Sequence, residues 1–237
     1  MTSQPQLDGH VAIVTGGSRG IGLAIARGFV ARGAKVVVSG RSQADLDAVS
    51  RQLGASVAVV QGDVADPAVA DALVRTAVDR FGGLDSLINN AGVGTFANVA
   101  DMKTDDWQRM IATNLTAVFL CTKAAIAALK QRGGGWIINI SSLAGRNSFA
   151  GGAAYCATKA GLNAFAESLM LEVRQDNIRV STVMPGSVQT AFSKGGDAPE
   201  HDWKLSPDDV AQVVFDLLGH EKRSLPSRVE IRPTRPK

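Results

Sequence analysis

Short runs of β-branched and aliphatic residues alternate with longer amphipathic stretches from residue 11 to residue 218 of this chain. Residues 11–15, 35–39, 57–60, 84–89, 136–140 and 178–184 read as strands, and 228–231 as a short final one. Residues 20–32, 42–53, 66–81, 104–130, 155–174 and 206–218 read as helices, with Asn114 inside the fourth. Ser42, Asp66-Pro67, Thr104 or Asp105, and Ser206-Pro207 supply the start signals. The strands are apolar throughout rather than every second residue, so both of their faces must be buried. Connections of ten or more residues then force a parallel sheet covered by helices on both sides. The fold expected is α/β, a doubly wound parallel sheet in three α/β/α layers.

The 237 residues suit one large domain, 1–237, with no linker, repeat or low-complexity tract to divide them. The stretch 187–205 lacks periodicity and carries Gly195-Gly196, Phe192 and Trp203. Ligands of open α/β sheets sit beyond the carboxyl ends of the strands. A segment that follows the sixth strand is therefore placed to act as a lid. The net charge is only +3, and Lys222, Arg223, Arg228, Arg232, Arg235 and Lys237 gather near the C-terminus as a solvated tail. Without interleaved aromatics, that tail does not suggest nucleic acid. No run approaches about 20 apolar residues, so no membrane span is expected. Cys121 and Cys156 sit in apolar helical pattern, which suits packing in a reduced, cytoplasmic setting. His10, His201 and His220 are scattered, without metal-ligand spacing.

Two motifs carry chemistry. The first strand runs straight into Thr15-Gly16-Gly17-Ser18-Arg19-Gly20-Ile21-Gly22, which opens a helix. Glycines there permit a tight turn at Gly16, close approach of a pyrophosphate at Gly20, and close helix–strand packing at Gly22. The helix N-terminus offers free N–H groups and a positive dipole end to phosphate. This is the signature of a Rossmann-type dinucleotide site, although glycines also serve as plain turn residues. The second motif is Tyr155 with Lys159 one helical turn on, thirteen residues after Ser142. A nearby ammonium favours the phenolate and draws the phenol down from its usual pKa of ~10. A phenol tuned in this way can give and take a proton near neutral pH.

In this order and spacing, Thr15-Gly16-x-x-x-Gly20-x-Gly22, Asn89-Asn90-Ala91-Gly92, Ser142, Tyr155-x-x-x-Lys159 and Pro185-Gly186 resemble the short-chain dehydrogenase/reductase family over residues 8–218. The resemblance implies that Tyr155 is the general acid, Lys159 its tuning partner and a ribose contact, and Ser142 the group that polarises a substrate carbonyl. It implies that Asn114 relays protons to Lys159 through water; on its own, Asn114 reads equally well as a helix asparagine bonded locally. It places Gly16, Ser18, Arg19, Gly20, Ile21 and Gly22 at the phosphates, and Asp63 with Val64 beside the adenine. Asn90, Ala91 and Gly92 would line the nicotinamide side, and Pro185, Gly186, Val188 and Thr190 would lead to its carboxamide. The second strand ends in Ser39-Gly40-Arg41 with no acid, and Arg19 lies in the glycine turn. Two guanidinium groups suit a 2′-phosphate, so the cofactor expected is NADP(H).

Within the family the chain is most similar to 3-oxoacyl-acyl-carrier-protein reductases and related ketoreductases, through Ile140-Ser141-Ser142 and Tyr155-Cys156-Ala157-Thr158-Lys159. It departs from them in its closing strand, which is not glycine-rich, and in a long helix with only Arg174 near its end to meet an acidic carrier. The substrate is thus an acyl thioester or a small free ketone, aldehyde or sugar. A homotetramer or homodimer is implied, with Ala157, Ala160, Ala164, Phe165 and Leu169 shared between its interface and the domain's own sheet. The competing reading is a cofactor-sensing regulator with this fold and no turnover, which would have no need of Ser142, Tyr155 and Lys159 together.

Overall fold

The computed structural model describes residues 5–190, 192 and 203–235. Its seven strands are β1 (Val11–Val14), β2 (Lys35–Gly40), β3 (Val57–Gln61), β4 (Ser86–Asn89), β5 (Gly135–Ile140), β6 (Ile178–Pro185) and β7 (Arg228–Ile231). They form one parallel sheet in the order β3-β2-β1-β4-β5-β6-β7. The helices are α1 (Gly20–Ala31), α2 (Gln43–Leu53), α3 (Pro67–Phe81), α4 (Thr104–Ile111), α5 (Ala117–Gln131), α6 (Ala153–Val173) and α7 (Pro207–Leu218).

Residue parity along each strand decides which layer it faces. Ala12, Val14, Val36, Val38, Ile138 and Ile140 join α1, α2 and α7 in one core, around Phe29 and Phe215. Val11, Ile13, Val37 and Ile137 join α3, α5 and α6 in the other, around Leu73, Leu87 and Leu129. The uninterrupted apolar strands of the sequence are thus two interleaved faces. Thr104–Gln131 is long and apolar enough, by length and composition alone, to cross a membrane. In this fold Ala117, Cys121, Ala125 and Leu129 are instead buried in the second core.

The start signals at three helices act as expected. Ser42 accepts from the Asp45 N–H, Asp66 accepts from the Ala68 N–H ahead of Pro67, and Ser206 and Asp209 form a reciprocal capping box. The fourth helix departs from the reading twice. Its N-cap is Lys103, without a side-chain cap, so neither Thr104 nor Asp105 caps it. It is also not one continuous α-helix, because a π-turn at Ala112–Thr116 separates α4 from α5. β4 starts at Ser86 rather than at residue 84, and just before it the Asp85 carboxylate accepts from the Val11 N–H and pairs with Arg132.

Sequence order reverses about β1. The chain winds outward through β2 and β3, then crosses back to place β4 on the other side of β1. The loops after β1 and β4 therefore diverge, and the crevice between them is where such sheets bind ligands.

Candidate active site

The loop after β1 is held by a hydroxyl that ends an apolar strand. Thr15 Oγ1 accepts from the Asn90 and Ala91 N–H groups, each at 3.0 Å. The Asn90 amide answers by donating to the Thr15 and Gly16 carbonyls at 2.9 and 3.2 Å. Asn90, expected to line the nicotinamide side, thus spends its side chain on clamping the two loops together. Gly16 and Gly20 both sit at positive φ, +63° and +55°.

The glycine roles differ in part from the expectation. A Cβ on Gly22 would collide with the Gly16 carbonyl and the Asn90 amide, so Gly22 lets the helix approach its own turn rather than a strand. Close packing on the sheet falls instead to Gly17, whose Cβ would lie 2.5 Å from Val38 Cγ1. At Gly20, an added Cβ would come within 3.3 Å of the Thr190 methyl, which puts Thr190 beside the glycine turn.

Helix α1 starts at Gly20 with Arg19 extended at the N-cap, no side-chain cap and no acid in its first turn. Its leading N–H groups and dipole are left for an anion, so the cradle fits a dinucleotide phosphate. Ser18 Oγ packs on Gly40, 3.0 Å from where a Cβ would stand, so Arg19 and Arg41 leave adjacent backbone. Both arginines are exposed, and Arg41 is anchored through its carbonyl to the Gln61 side chain. Asp63 gives one oxygen to the Ala65 N–H, while Val64 is buried in the core below.

Asn114 lies in the π-turn and is fully buried. Its amide brackets Val93 with two 2.8 Å bonds, one to the N–H and one to the carbonyl. It also donates to Thr158 Oγ1 at 3.1 Å, and Thr158 donates in turn to the Tyr155 carbonyl. The side chain expected to serve a water relay is therefore committed to tying the β4 loop to α6. It still stands near Lys159: a Cβ on Gly92 would be 3.4 Å from Asn114 Oδ1 and 3.7 Å from Lys159 Nζ.

Lys159 is 3% exposed and donates to the Ile140 carbonyl at 3.0 Å. Burial draws its pKa down to about 8. Tyr155 is 8% exposed under the rings of Phe96 and Phe192, with centroids at 5.6 and 5.7 Å. Burial pushes its pKa up to about 12, against a downward pull from its hydrogen bond with Ser142. The downward shift expected from Lys159 is not what this state shows: the ammonium stands 5.9 Å from the ring centroid, and desolvation of the phenolate dominates.

Ser142, rather than Ser141, meets the phenol; Ser141 turns to Asn163 Oδ1 at 2.7 Å. Pro185 closes β6, and the Gly186 N–H reaches the Ile231 carbonyl. Val188 bridges Leu205, while most of the lid assigned to 187–205 lies outside the described residues. Sequence reasoning gave no role to Thr15, Thr158 or Gly17. A hydroxyl closing an apolar run was the one available signal, at Thr15. The π-turn has no signature in the hydrophobic period.

A family model described as short chain dehydrogenase matches residues 10–200. An uncharacterized oxidoreductase of Staphylococcus aureus (strain USA300) is 35% identical over 228 residues, covering 96% of this chain and 98% of its own. A 3-alpha-(or 20-beta)-hydroxysteroid dehydrogenase of Mycobacterium bovis is 39% identical over 210 residues, covering 89% and 77%. The solved structure of a metagenomic short-chain oxidoreductase in complex with NADP superposes with a TM-score of 0.84 at 40% identity, covering 98% of this chain and all of that one.

If Asn114 holds the β4 loop, Asn114→Ala should lower the unfolding free energy by about 2–4 kcal/mol, since it orphans both polar groups of Val93. Urea denaturation measures this; a loss below about 0.5 kcal/mol would mean that the amide is not structural.

Proposed function

The chain belongs to the short-chain dehydrogenases, and from that premise we propose that it is an NADP-dependent oxidoreductase interconverting a ketone and a secondary alcohol. The observation that carries the reading is the hydrogen-bonded Ser142–Tyr155 pair above a buried Lys159, at the carboxyl edge of the sheet beside the uncapped α1 N-terminus. We read residues 1–237 as one domain in which Gly16 to Gly22 hold the pyrophosphate and Arg19 and Arg41 the 2′-phosphate. The NADP complex of the metagenomic oxidoreductase supports that choice of cofactor.

When bound, NADPH supplies the hydride. The residues of the chain manage the oxygen. As negative charge develops on the carbonyl oxygen, the Ser142 hydroxyl and the Tyr155 phenol are the two donors that meet it. The phenol, pushed up to about 12 by burial, is protonated at neutral pH and so carries the proton to be given, although burial also makes it a weaker acid. Transfer of its proton to the oxygen leaves a phenolate, which the Lys159 cation stabilises from the same pocket. Phe96 and Phe192 cover the phenol and keep water from it.

The reading includes a homotetramer or homodimer in a cytoplasmic setting. On α6, Ala157, Ala160 and Ala164 are exposed in line with Leu171 at 54%, whereas Leu169 is buried in the core and Phe165 packs against it. That outer stripe, with the exposed Phe119 of α5, suits a two-fold interface.

Tyr155→Phe keeps the ring and removes the acid. The folded variant should bind NADPH and lose ketone-dependent NADPH oxidation by about 10²–10⁴-fold; unchanged turnover would rule the mechanism out. Arg41→Ala should weaken NADPH by about 10- to 150-fold, the loss of one charged hydrogen-bond partner, and leave NADH nearly unaffected. Arg41→Asp should go further and move the preference toward NADH. Fluorescence titration with both cofactors measures this; equal losses for the two would make Arg41 structural.

A further inference from the structure

Three phenylalanine rings from three separate segments converge on the proposed proton donor. Phe96 meets Tyr155 edge to face at 5.6 Å, Phe149 meets Phe96 at 5.7 Å, and Phe192 meets Tyr155 at 5.7 Å from the other side. Tyr155 is nearly hidden, but the three phenylalanines remain 43%, 47% and 40% exposed. A contiguous apolar patch left to water costs free energy unless something covers it. This patch is centred on the hydroxyl that would meet a substrate oxygen.

The rings are seated by backbone rather than left to drift. A Cβ on Gly152 would lie 2.5 Å from the Phe149 ring, and one on Gly94 would lie 2.7 Å from Phe192. Each glycine therefore exists at its place as a floor for an aromatic ring. The Ala97 N–H donates to the Gly151 carbonyl at 2.9 Å, which ties the Phe96 loop to the Phe149 loop. The two described arginines nearest in sequence are engaged elsewhere: Arg109 with Asp106 and the Thr95 hydroxyl, and Arg146 with Glu230. The three rings thus offer stacking surface and edge-to-face partners, and none of the three side chains can receive a carboxylate or phosphate.

We infer that the substrate is an uncharged ketone carrying an aryl or comparably flat apolar group, with Phe96, Phe149 and Phe192 as its specificity-determining contacts. The inference rests on the ketone reduction proposed above and narrows it. Ring faces and edges around a bound aryl group prefer the offset and T-shaped arrangements already seen among these residues. A carbonyl attached directly to that group reaches Ser142 and Tyr155 when the ring lies in the patch. A sugar would leave its hydroxyls without partners against the three rings, and a charged group lying among the rings would be desolvated with no counter-ion from them.

The test uses the full chain with NADPH and four carbonyls: acetophenone, acetone, 4-acetylbenzoate and an acetoacetyl thioester of N-acetylcysteamine. Acetophenone should exceed acetone in kcat/KM by about 10- to 150-fold, which corresponds to ~1.5–3 kcal/mol for burying one ring. It should exceed 4-acetylbenzoate by at least about 10-fold, because the rings would desolvate the carboxylate without pairing it. Phe149→Ala, which touches Phe96 rather than Tyr155, should cut the acetophenone-to-acetone ratio about 10-fold. Gly94→Ala, which displaces the Phe192 ring by one methyl group, should lower the same ratio and serves if Phe149→Ala fails to fold. Equal use of acetone and acetophenone, or preference for the thioester or the carboxylate, would overturn the inference while leaving ketone reduction intact. If no carbonyl is turned over, the function proposed above fails, and binding decides this inference separately. Saturation-transfer NMR of 1-phenylethanol should then show contact with the wild-type protein that Phe149→Ala loses; equal signals in both would overturn it.

Discussion

Loops that leave the carboxyl edge of a buried parallel sheet must find partners for their backbone polar groups, because the strand ladder no longer supplies them. Side chains meet that constraint here. Thr15 and Asn90 lock the β1 loop to the β4 loop, and Asn114 locks the β4 loop to α6 through Val93 and Thr158. The result is a continuous chain of hydrogen bonds from the phosphate cradle to the backbone of Tyr155. Such a fully paired network is rigid because each member lost would strand a buried partner. It fixes where the glycine turn stands relative to Tyr155, and so how a cofactor held at that turn, as proposed, would be presented to the phenol.

Inside that frame the electrostatics run against the simplest expectation. A lysine beside a tyrosine suggests a phenol drawn toward neutrality, yet burial dominates both groups and moves them the opposite ways that desolvation dictates. The phenol becomes a weaker acid, and the ammonium becomes easier to neutralise. With Tyr155 protonated near neutral pH, the charge on Lys159 becomes the feature that varies near physiological pH.

Much of this was legible in the residues. Apolar strands separated by amphipathic helices left few folds besides a doubly wound sheet, and the glycine turn and the Tyr155/Lys159 spacing named both halves of the proposed site. What could not be read was long-range and side-chain specific. Close packing on the sheet falls to Gly17 because of the Val38 side chain, and Gly22 is held close by the Gly16 carbonyl and the Asn90 amide, contacts that no local motif specifies. Asn114 reaches Val93 and Thr158 from a π-turn, which a reading of 104–130 as one continuous helix does not separate. The phenylalanine patch gathers positions 96, 149 and 192 from three loops without regular pattern, so no window along the chain could assemble it.

The account stands or falls on a buried ammonium supporting a protonated phenol. The pH dependence of kcat/KM for NADPH-driven ketone reduction tests that pairing most directly. Lys159, with its pKa near 8, loses its charge as pH rises past that value, while Tyr155 near 12 stays protonated throughout. The account therefore requires a level rate from pH 6 to 7 and a fall as pH rises through about 8. A rate that stays level to about pH 10, where an unperturbed lysine would still be charged, would contradict it.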